Sequence, residues 1–489
     1  MHQLVYKRIL ENAAKTPNRT ALVRPGEEEL SYGQLMQHIA GAKKHLFKVG
    51  VRSSDYIVLA ASRSFSFVYG YLAVHALGAV AVPLDPQTPA ERLKYIRGVL
   101  SPKAGFWVSG EHGLADIAIF DGLEDDDLGE DIPVDANAVA DAMFTSGTTA
   151  QPKGVLLTHG NLACAVNNIN MFIGNGPDDV EINPMPLSHS FGLARLRCTL
   201  YEGATQIIID GVMRPKEIFK AMDEYKATGV GMVAPAWMVL KRLSGDFISR
   251  YCEQLRYFEL GSAPMTAEDK AHLAALLPKT RICMHYGLTE ASRAAFQEFH
   301  EPQEFLSTVG RPSPLVEIKI YNESGESLPD GETGEICIKG GMVAKGYLNV
   351  DNETVFYGDY FRTGDLGYKR SDGYIVLTGR LKEMINVGGK KVSPVEVDQA
   401  LAVLPGVAEA ACVGVPDPML SEVVAAFIVA GDGERYTLEK VRELLAGVLE
   451  SHQIPQYLIY IDEVPKTASG KVQRLQLKDR WSQMHGGAK

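Results

Sequence analysis

Ten residues constrain this chain more than any other stretch: Thr145-Ser-Gly-Thr-Thr-Ala-Gln-Pro-Lys-Gly154. They lie between two short apolar runs, 138–144 and 154–157, each read as a strand. Thr145, Ser146, Thr148 and Thr149 supply hydroxyls, Gly147 and Gly154 let backbone come close to a ligand, and Lys153 adds a point charge. Together with backbone N–H donors this set suits a polyphosphate. The alternative is a polar hairpin turn, but turns seldom need so many hydroxyls. The segment is not a Walker loop, which requires Gly-Lys-Ser/Thr opening a helix. Here Pro152 precedes Lys153, and Gly154 leads into a strand, which argues against a P-loop kinase or motor.

A chain of 489 residues exceeds one ordinary core, so at least two domains are expected. The hydrophobic share of 46% and charged share of 22% are those of a soluble globular protein. The net charge of −11 argues against a broad nucleic-acid or anionic-membrane surface, while leaving room for a local basic phosphate pocket. The six scattered cysteines form no CxxC pair and point to a reducing cytoplasm. The N-terminus lacks a signal-peptide pattern. Residues 65–84 are the best membrane candidate, but His75, Gly78 and Pro83 make a buried helix followed by a strand the better reading.

Strands at 56–60 and 79–84 with a helix at 64–77 between them give a βαβ rhythm and hence a mostly parallel sheet. The acidic stretch 110–137 reads as a solvated connection rather than a metal site, because carboxylates in a row point in different directions. A second βα rhythm starts at 138–144, a strand broken by Asp141, and Thr158 is positioned to cap the next helix. Alternating residues at 316–321 and 335–339, with turns between, predict a small antiparallel β unit. Beyond Arg380 a new series of helices and strands fits a compact α+β domain. The expected fold is therefore α/β. A large N-terminal domain (1–381) has mostly parallel sheets with helices plus the antiparallel unit, and a small α+β C-terminal domain (382–489) follows.

The loop at 145–154 resembles the phosphate loop of the adenylate-forming (AMP-binding) superfamily, in its acyl/aryl-CoA ligase branch. The family usually has glycine where this chain has Ala150. Further segments match in the family's order: Gly261-Ser262-Ala263-Pro264, Tyr286-Gly287-Leu288-Thr289-Glu290, the Asp365 segment from Tyr360, Gly373 to Lys382, and Pro465 to Lys471. The resemblance covers nearly the whole chain. It implies ATP and Mg²⁺ as cofactors and coenzyme A, or the phosphopantetheine of a carrier protein, as co-substrate. It implies that 261–264 and 285–289, His285 included, line the nucleotide, with Tyr286 stacked on adenine and Thr289 on the α-phosphate. Glu290 and Thr149 would hold Mg²⁺. Asp365 would accept from the ribose hydroxyls, Arg380 would touch ribose or phosphate, and Lys382 would be the hinge of a mobile C-terminal domain. Lys471 would be the catalytic lysine, leaving Lys466 as a solvated one. Arg380 and Lys382 also read as ordinary exposed charges.

The implied reaction forms an acyl-adenylate and then passes the acyl group to a thiol. Gly388 and Gly389 would line the channel for the pantetheine arm. The stretch Pro186-Leu-Ser-His189-Ser-Phe191-Gly192 resembles the acid pocket of acyl-CoA ligases, with Phe191 in its wall. No acidic residue lies between Glu181 and Glu202, so an α-amino acid substrate would leave a buried ammonium unpaired. His189 gates the pocket, orients the carboxylate, or simply packs. Trp237 and Met238 line the acid tunnel or are core. Arg293 either reads a polar group on the acid or makes a salt bridge or pantetheine contact. The other readings are a stand-alone enzyme loading a carrier protein, a luciferase-type oxygenase, and a catalytically dead nucleotide-binding protein. No nucleic acid and no membrane span are expected, and the protein is a monomer or homodimer.

Overall fold

The structure is a computed structural model and describes residues 3–101, 104–106, 123–145, 152–431, 435–466, 470 and 472–485. By internal packing the chain divides into two compact units, Met1–Ile318 with Ile338–Phe361, and Lys319–Cys337 with Arg362–Lys489. No helix among the described residues is long and apolar enough to cross a membrane. All six cysteines are free.

The first unit carries two large sheets. In one of them Tyr56–Ala60 runs parallel to Val80–Leu84, which pairs in parallel with Val139–Thr145. The helix Phe65–Ala76 joins the first two strands, capped by the Ser64 hydroxyl, and nearly all of it is buried. Burial on every side explains its hydrophobic composition without a membrane. The other sheet has nine strands, with Val180–Asn183, Gly229–Gly231, Tyr257–Leu260 and Arg281–Tyr286 in parallel contact.

One expectation is corrected here. Asp141 does not break its strand, which runs through it from Val139 to Thr145. The carboxylate is fully buried, but it accepts from His75 Nε2 (2.9 Å), Arg197 Nη1 (2.8 Å) and the Tyr71 hydroxyl (3.0 Å). A buried charge with this many partners is tolerated inside a strand. The strand after the loop, Lys153–Thr158, runs antiparallel to Val139–Thr145, with Thr145 opposite Lys153. The two ends of the hydroxyl-rich segment are thereby held side by side. The capping expectation holds: Thr158 accepts from Asn161 N, and the Asn161 side chain accepts from Thr158 N.

In the acidic stretch, the described residues 123–138 have no regular element. Asp125 pairs with Lys44 and Asp131 with Lys7. A small sheet is ordered Val316–Tyr321, Gly334–Gly340, Tyr360–Lys369, Phe356–Tyr357, and Ile375–Arg380 pairs antiparallel with Tyr360–Lys369. In the second unit, Val407–Asp417 and Ser421–Ala430 form a long antiparallel pair. Its core includes Val397, Leu401, Val441 and Leu445 from the helices Pro394–Ala402 and Leu438–Leu445.

Candidate active site

Lys153 opens its strand, and Gly346–Tyr347 pairs antiparallel with that strand, Tyr347 opposite Val155. The Lys153 ammonium lies 5.1 Å from the centre of the Tyr347 ring, within cation–π range. The Tyr347 hydroxyl donates to Glu290 Oε1 at 2.7 Å. Burial, then the Glu290 carboxylate, push the phenol well up, so it stays a donor. Glu290 is 9% exposed. It ends a tight loop closed by reciprocal bonds between Leu288 and Ala291 and tied down by Ala344 N–H on the Glu290 carbonyl (2.7 Å). Gly287 is required here, because a Cβ would lie 2.6 Å from Arg293 N. The Thr289 hydroxyl sits 3.4 Å from that of Ser190, so the loop meets the start of the helix Ser190–Glu202.

Beneath this loop lies a charged cluster buried between apolar side chains. Glu259, inside the strand Tyr257–Leu260, is fully buried. It accepts from Arg195 Nη1 (3.0 Å) and Arg293 Nε (3.0 Å). Arg195 also holds Glu181 through Nε (2.8 Å) and Nη2, and Tyr257 donates to the same carboxylate at 2.7 Å. Burial acts to raise the Glu259 carboxyl, but Arg293, Arg195 and His285 override it and hold it below the usual carboxylate range. His285 Nδ1 lies 2.8 Å from Glu259 Oε1, off the ring's hydrogen-bond direction. Burial, then the Arg293 charge, lower the His285 imidazole, and its ring stacks on Phe191 at 5.3 Å.

Of the readings of Arg293, the ion pair is the one observed. The side chain is 2% exposed, its guanidinium carbon is 4.8 Å from the centre of the Phe191 ring, and its backbone φ is +53°. Trp237 is buried with its ring edge-on to Phe258, the geometry of core packing, while Met238 is exposed. His189 precedes the helix Ser190–Glu202 and makes no side-chain cap. Burial lowers its imidazole against the pull of Asp85.

Gly261 follows Glu259 by two residues. A Cβ there would lie 2.1 Å from His285 Cε1, and His285 is wedged against Phe191. Gly261→Ala is therefore expected to displace His285 and the Tyr286–Glu290 loop and to lower kcat/KM for ATP by roughly a hundredfold. Steady-state kinetics at varied ATP checks this, and an unchanged value would refute it. Ser262 has φ +69°, a left-handed turn that carries Ala263 and exposed Pro264 away from the strand.

In the second unit Asp365 and Arg380 face each other across paired strands, with Arg380 Nε 2.8 Å from Asp365 Oδ1. Asp365 is buried and its backbone N–H is taken by Thr363 Oγ1. Lys382 is exposed in the single turn Leu381–Glu383. Gly388 and Gly389, at φ +58° and +88°, form the two-residue turn between Ile385–Val387 and Lys390–Val392. That hairpin geometry by itself demands glycine-like residues. Ser146, Gly147, Thr148, Thr149 and Lys471 lie outside the described residues. Flanking Lys471, Arg474 bonds Glu383 (2.9 Å), Asp398 (2.6 Å) and the Cys412 carbonyl (2.8 Å).

The first unit thus groups Thr145, Lys153, His189, Phe191, Gly261, His285, Thr289 and Glu290 on connected strands and loops, and the second pairs Asp365 with Arg380. Sequence reasoning missed Glu259, Arg195 and Tyr347. The first had a signal: a lone carboxylate inside the apolar run Tyr257-Phe-Glu-Leu260 has to be paired or functional. Tyr347 had none, since its partners are 57 and 194 positions away (347 − 290 and 347 − 153).

This fold and site define an adenylate-forming enzyme. The model of the AMP-binding enzyme family matches residues 9–348, and that of the AMP-binding enzyme C-terminal domain matches 396–471. The chain belongs to this family. It is 30% identical to an oxalate–CoA ligase of Arabidopsis thaliana over 95% of this chain and 96% of that protein. It is 29% identical to a feruloyl-CoA synthase of Amycolatopsis sp. over 96% and 98%. Among solved structures, ATP-bound MatB from Rhodopseudomonas palustris superposes with a TM-score of 0.89 at 25% identity, over 99% of this chain and 100% of that one. The Bacillus subtilis o-succinylbenzoate CoA synthetase with its acyl-adenylate gives 0.86 at 25% identity, over 98% and 99%. The protein is an acid–thiol ligase of the acyl-CoA synthetase type.

Proposed function

We propose that the protein activates an organic acid lacking an α-ammonium group as its acyl-adenylate and then transfers the acyl group to coenzyme A. The observation that carries the reading is the joint placement of Lys153 and Glu290 against Tyr347, a cation and a carboxylate on one tyrosine beside the paired residues Thr145 and Lys153. In the first step a carboxylate oxygen of the acid attacks the α-phosphorus of ATP, and the bond to pyrophosphate breaks. Lys153 and the hydroxyls from Thr145 onward stabilise the departing pyrophosphate, and Lys471 bridges the carboxylate and the α-phosphate. Glu290 with Thr149 would hold Mg²⁺, for which hard oxygen donors are apt, and the ion when bound supplies charge neutralisation on the phosphates. Asp365, oriented by Arg380, takes the ribose. In the second step the coenzyme A thiolate attacks the acyl carbonyl and AMP leaves. Rotation about Lys382 withdraws Lys471 and brings the Gly388-Gly389 turn to the pantetheine arm.

The acid class follows from charge. No carboxylate lies within the acid segment itself, and Glu181, which precedes it in sequence, is held by Arg195 and Tyr257. A panel of aliphatic and aromatic acids, supplied with ATP, Mg²⁺ and coenzyme A, should yield acyl-CoA, AMP and pyrophosphate in equal amounts for at least one acid. Release of ADP and phosphate instead would overturn the proposal.

A further inference from the structure

We propose that Tyr347 is a positioning residue for the nucleotide phosphates, holding Lys153 with its ring and Glu290 with its hydroxyl so that the two charges stay available to the ligand. This rests on the ligase reading of the same site. The motivating geometry is a side chain with two different faces in use: the ring lies 5.1 Å from Lys153 Nζ, and the hydroxyl is 2.7 Å from Glu290 Oε1. A lysine and a glutamate this close to one tyrosine have an obvious alternative, a direct ion pair, which would set each charge against the other. A ring in contact with the ammonium and a neutral donor on the carboxylate give both groups a partner without cancelling either charge. The hydroxyl also fixes which carboxylate oxygen is occupied and so orients the other, as hydrogen bonds to ligating carboxylates do.

The backbone around Tyr347 is clamped to a degree a surface turn would not need. Asn352 Oδ1 accepts from Tyr347 N (2.8 Å), and Asn352 Nδ2 reaches the Tyr347 carbonyl (3.3 Å). Gly346 makes the clamp possible, because a Cβ there would lie 2.4 Å from the Asn352 side chain. Lys345 N and Leu348 N bond the Leu156 and Gly154 carbonyls of the Lys153 strand at 2.9 and 2.8 Å. On the other side, Val343 bridges Ala291, and Ala344 N holds the Glu290 carbonyl. Residues 343–348 therefore join the strand leaving the phosphate loop to the loop carrying Glu290, with Tyr347 as the side chain that touches both charges.

The test is ATP binding by titration calorimetry without acid, in Mg²⁺ and in EDTA, on wild type, Tyr347→Phe and Tyr347→Leu, with circular dichroism to establish folding. Phenylalanine keeps the ring and loses the hydroxyl. It should cut the Mg²⁺-dependent gain in affinity by about tenfold or more while leaving affinity in EDTA unchanged. Leucine should lose that gain and also bind ATP several-fold more weakly in EDTA, because the lysine loses its platform. If Tyr347→Phe matches wild type in both buffers, or weakens both equally, Tyr347 does not position Glu290 and the proposal is overturned. If leucine leaves binding in EDTA intact, the role of the ring is overturned. A folded wild type that fails to bind Mg·ATP would instead bring down the ligase reading itself.

Discussion

Lys471→Ala is expected to slow adenylate formation by two to three orders of magnitude while leaving thiol transfer from a supplied acyl-adenylate within a few-fold of wild type. In the proposed mechanism the asymmetry follows from where charge is created. In the first step a carboxylate, an α-phosphate and a departing pyrophosphate converge, and loss of one preorganised cationic group from such a site typically costs about 3–4 kcal/mol in the transition state. In the second step the acyl group is already activated and the attacking group is a thiolate, so a lysine bridging carboxylate and phosphate has nothing to bridge. The chain on either side of this lysine is firmly held. Lys466 bridges Val472, Gln473 N bonds the Pro465 carbonyl at 2.8 Å, and Arg474 grips Glu383 beside the proposed hinge residue Lys382. An alanine at 471 should therefore remove the charge without releasing its surroundings. The two half-reactions are to be assayed separately, by pyrophosphate exchange and by acyl-CoA formation from synthetic acyl-adenylate. Equal loss in both would mean that one arrangement of the domains serves both steps, against the mechanism proposed.

What could be read from the sequence divides along the range of the interactions involved. Elements set by local pattern were legible: the strand Tyr56–Ala60, the helix Phe65–Ala76 and the Thr158 cap follow from hydrophobic runs and hydroxyl caps a few residues long. Lys153, Glu290 and Asp365 were singled out by resemblance, and the roles given to them stay part of the proposal. Features made by distant partners were not legible. Asp141 looked like a strand breaker because its partners His75, Tyr71 and Arg197 are 56 to 70 positions away. A salt bridge was among the readings of Arg293, but its partner Glu259, 34 positions away, was not legible. The antiparallel pairing of Val139–Thr145 with Lys153–Thr158 was hidden as well, since strand patterns alone do not give direction.

That same distant pairing makes Glu259 the residue whose loss the first unit should tolerate least. Glu259→Leu removes the carboxylate held by Arg195 and Arg293 and leaves both guanidinium groups in place, at 0% and 2% exposure. Arg195 keeps Glu181, whereas Arg293 is left with the Phe191 ring at 4.8 Å and long contacts to Ser292 Oγ (3.3 Å) and the Phe191 carbonyl (3.5 Å). Breaking one partner out of a buried pair typically destabilises by about 3–5 kcal/mol, because the remaining charge stays buried without compensation. A loss of that size should be measurable in urea unfolding followed by tryptophan fluorescence, since Trp237 packs on Phe258, the neighbour of Glu259. The double variant Glu259→Leu, Arg293→Met discriminates between causes. If the cost is an uncompensated arginine, removing that arginine as well should restore part of the stability, and the cycle should give a coupling of about 1–3 kcal/mol. If the double variant is no better than the single one, the cost comes from packing around the strand Tyr257–Leu260, and the buried charges are not what holds that strand in place.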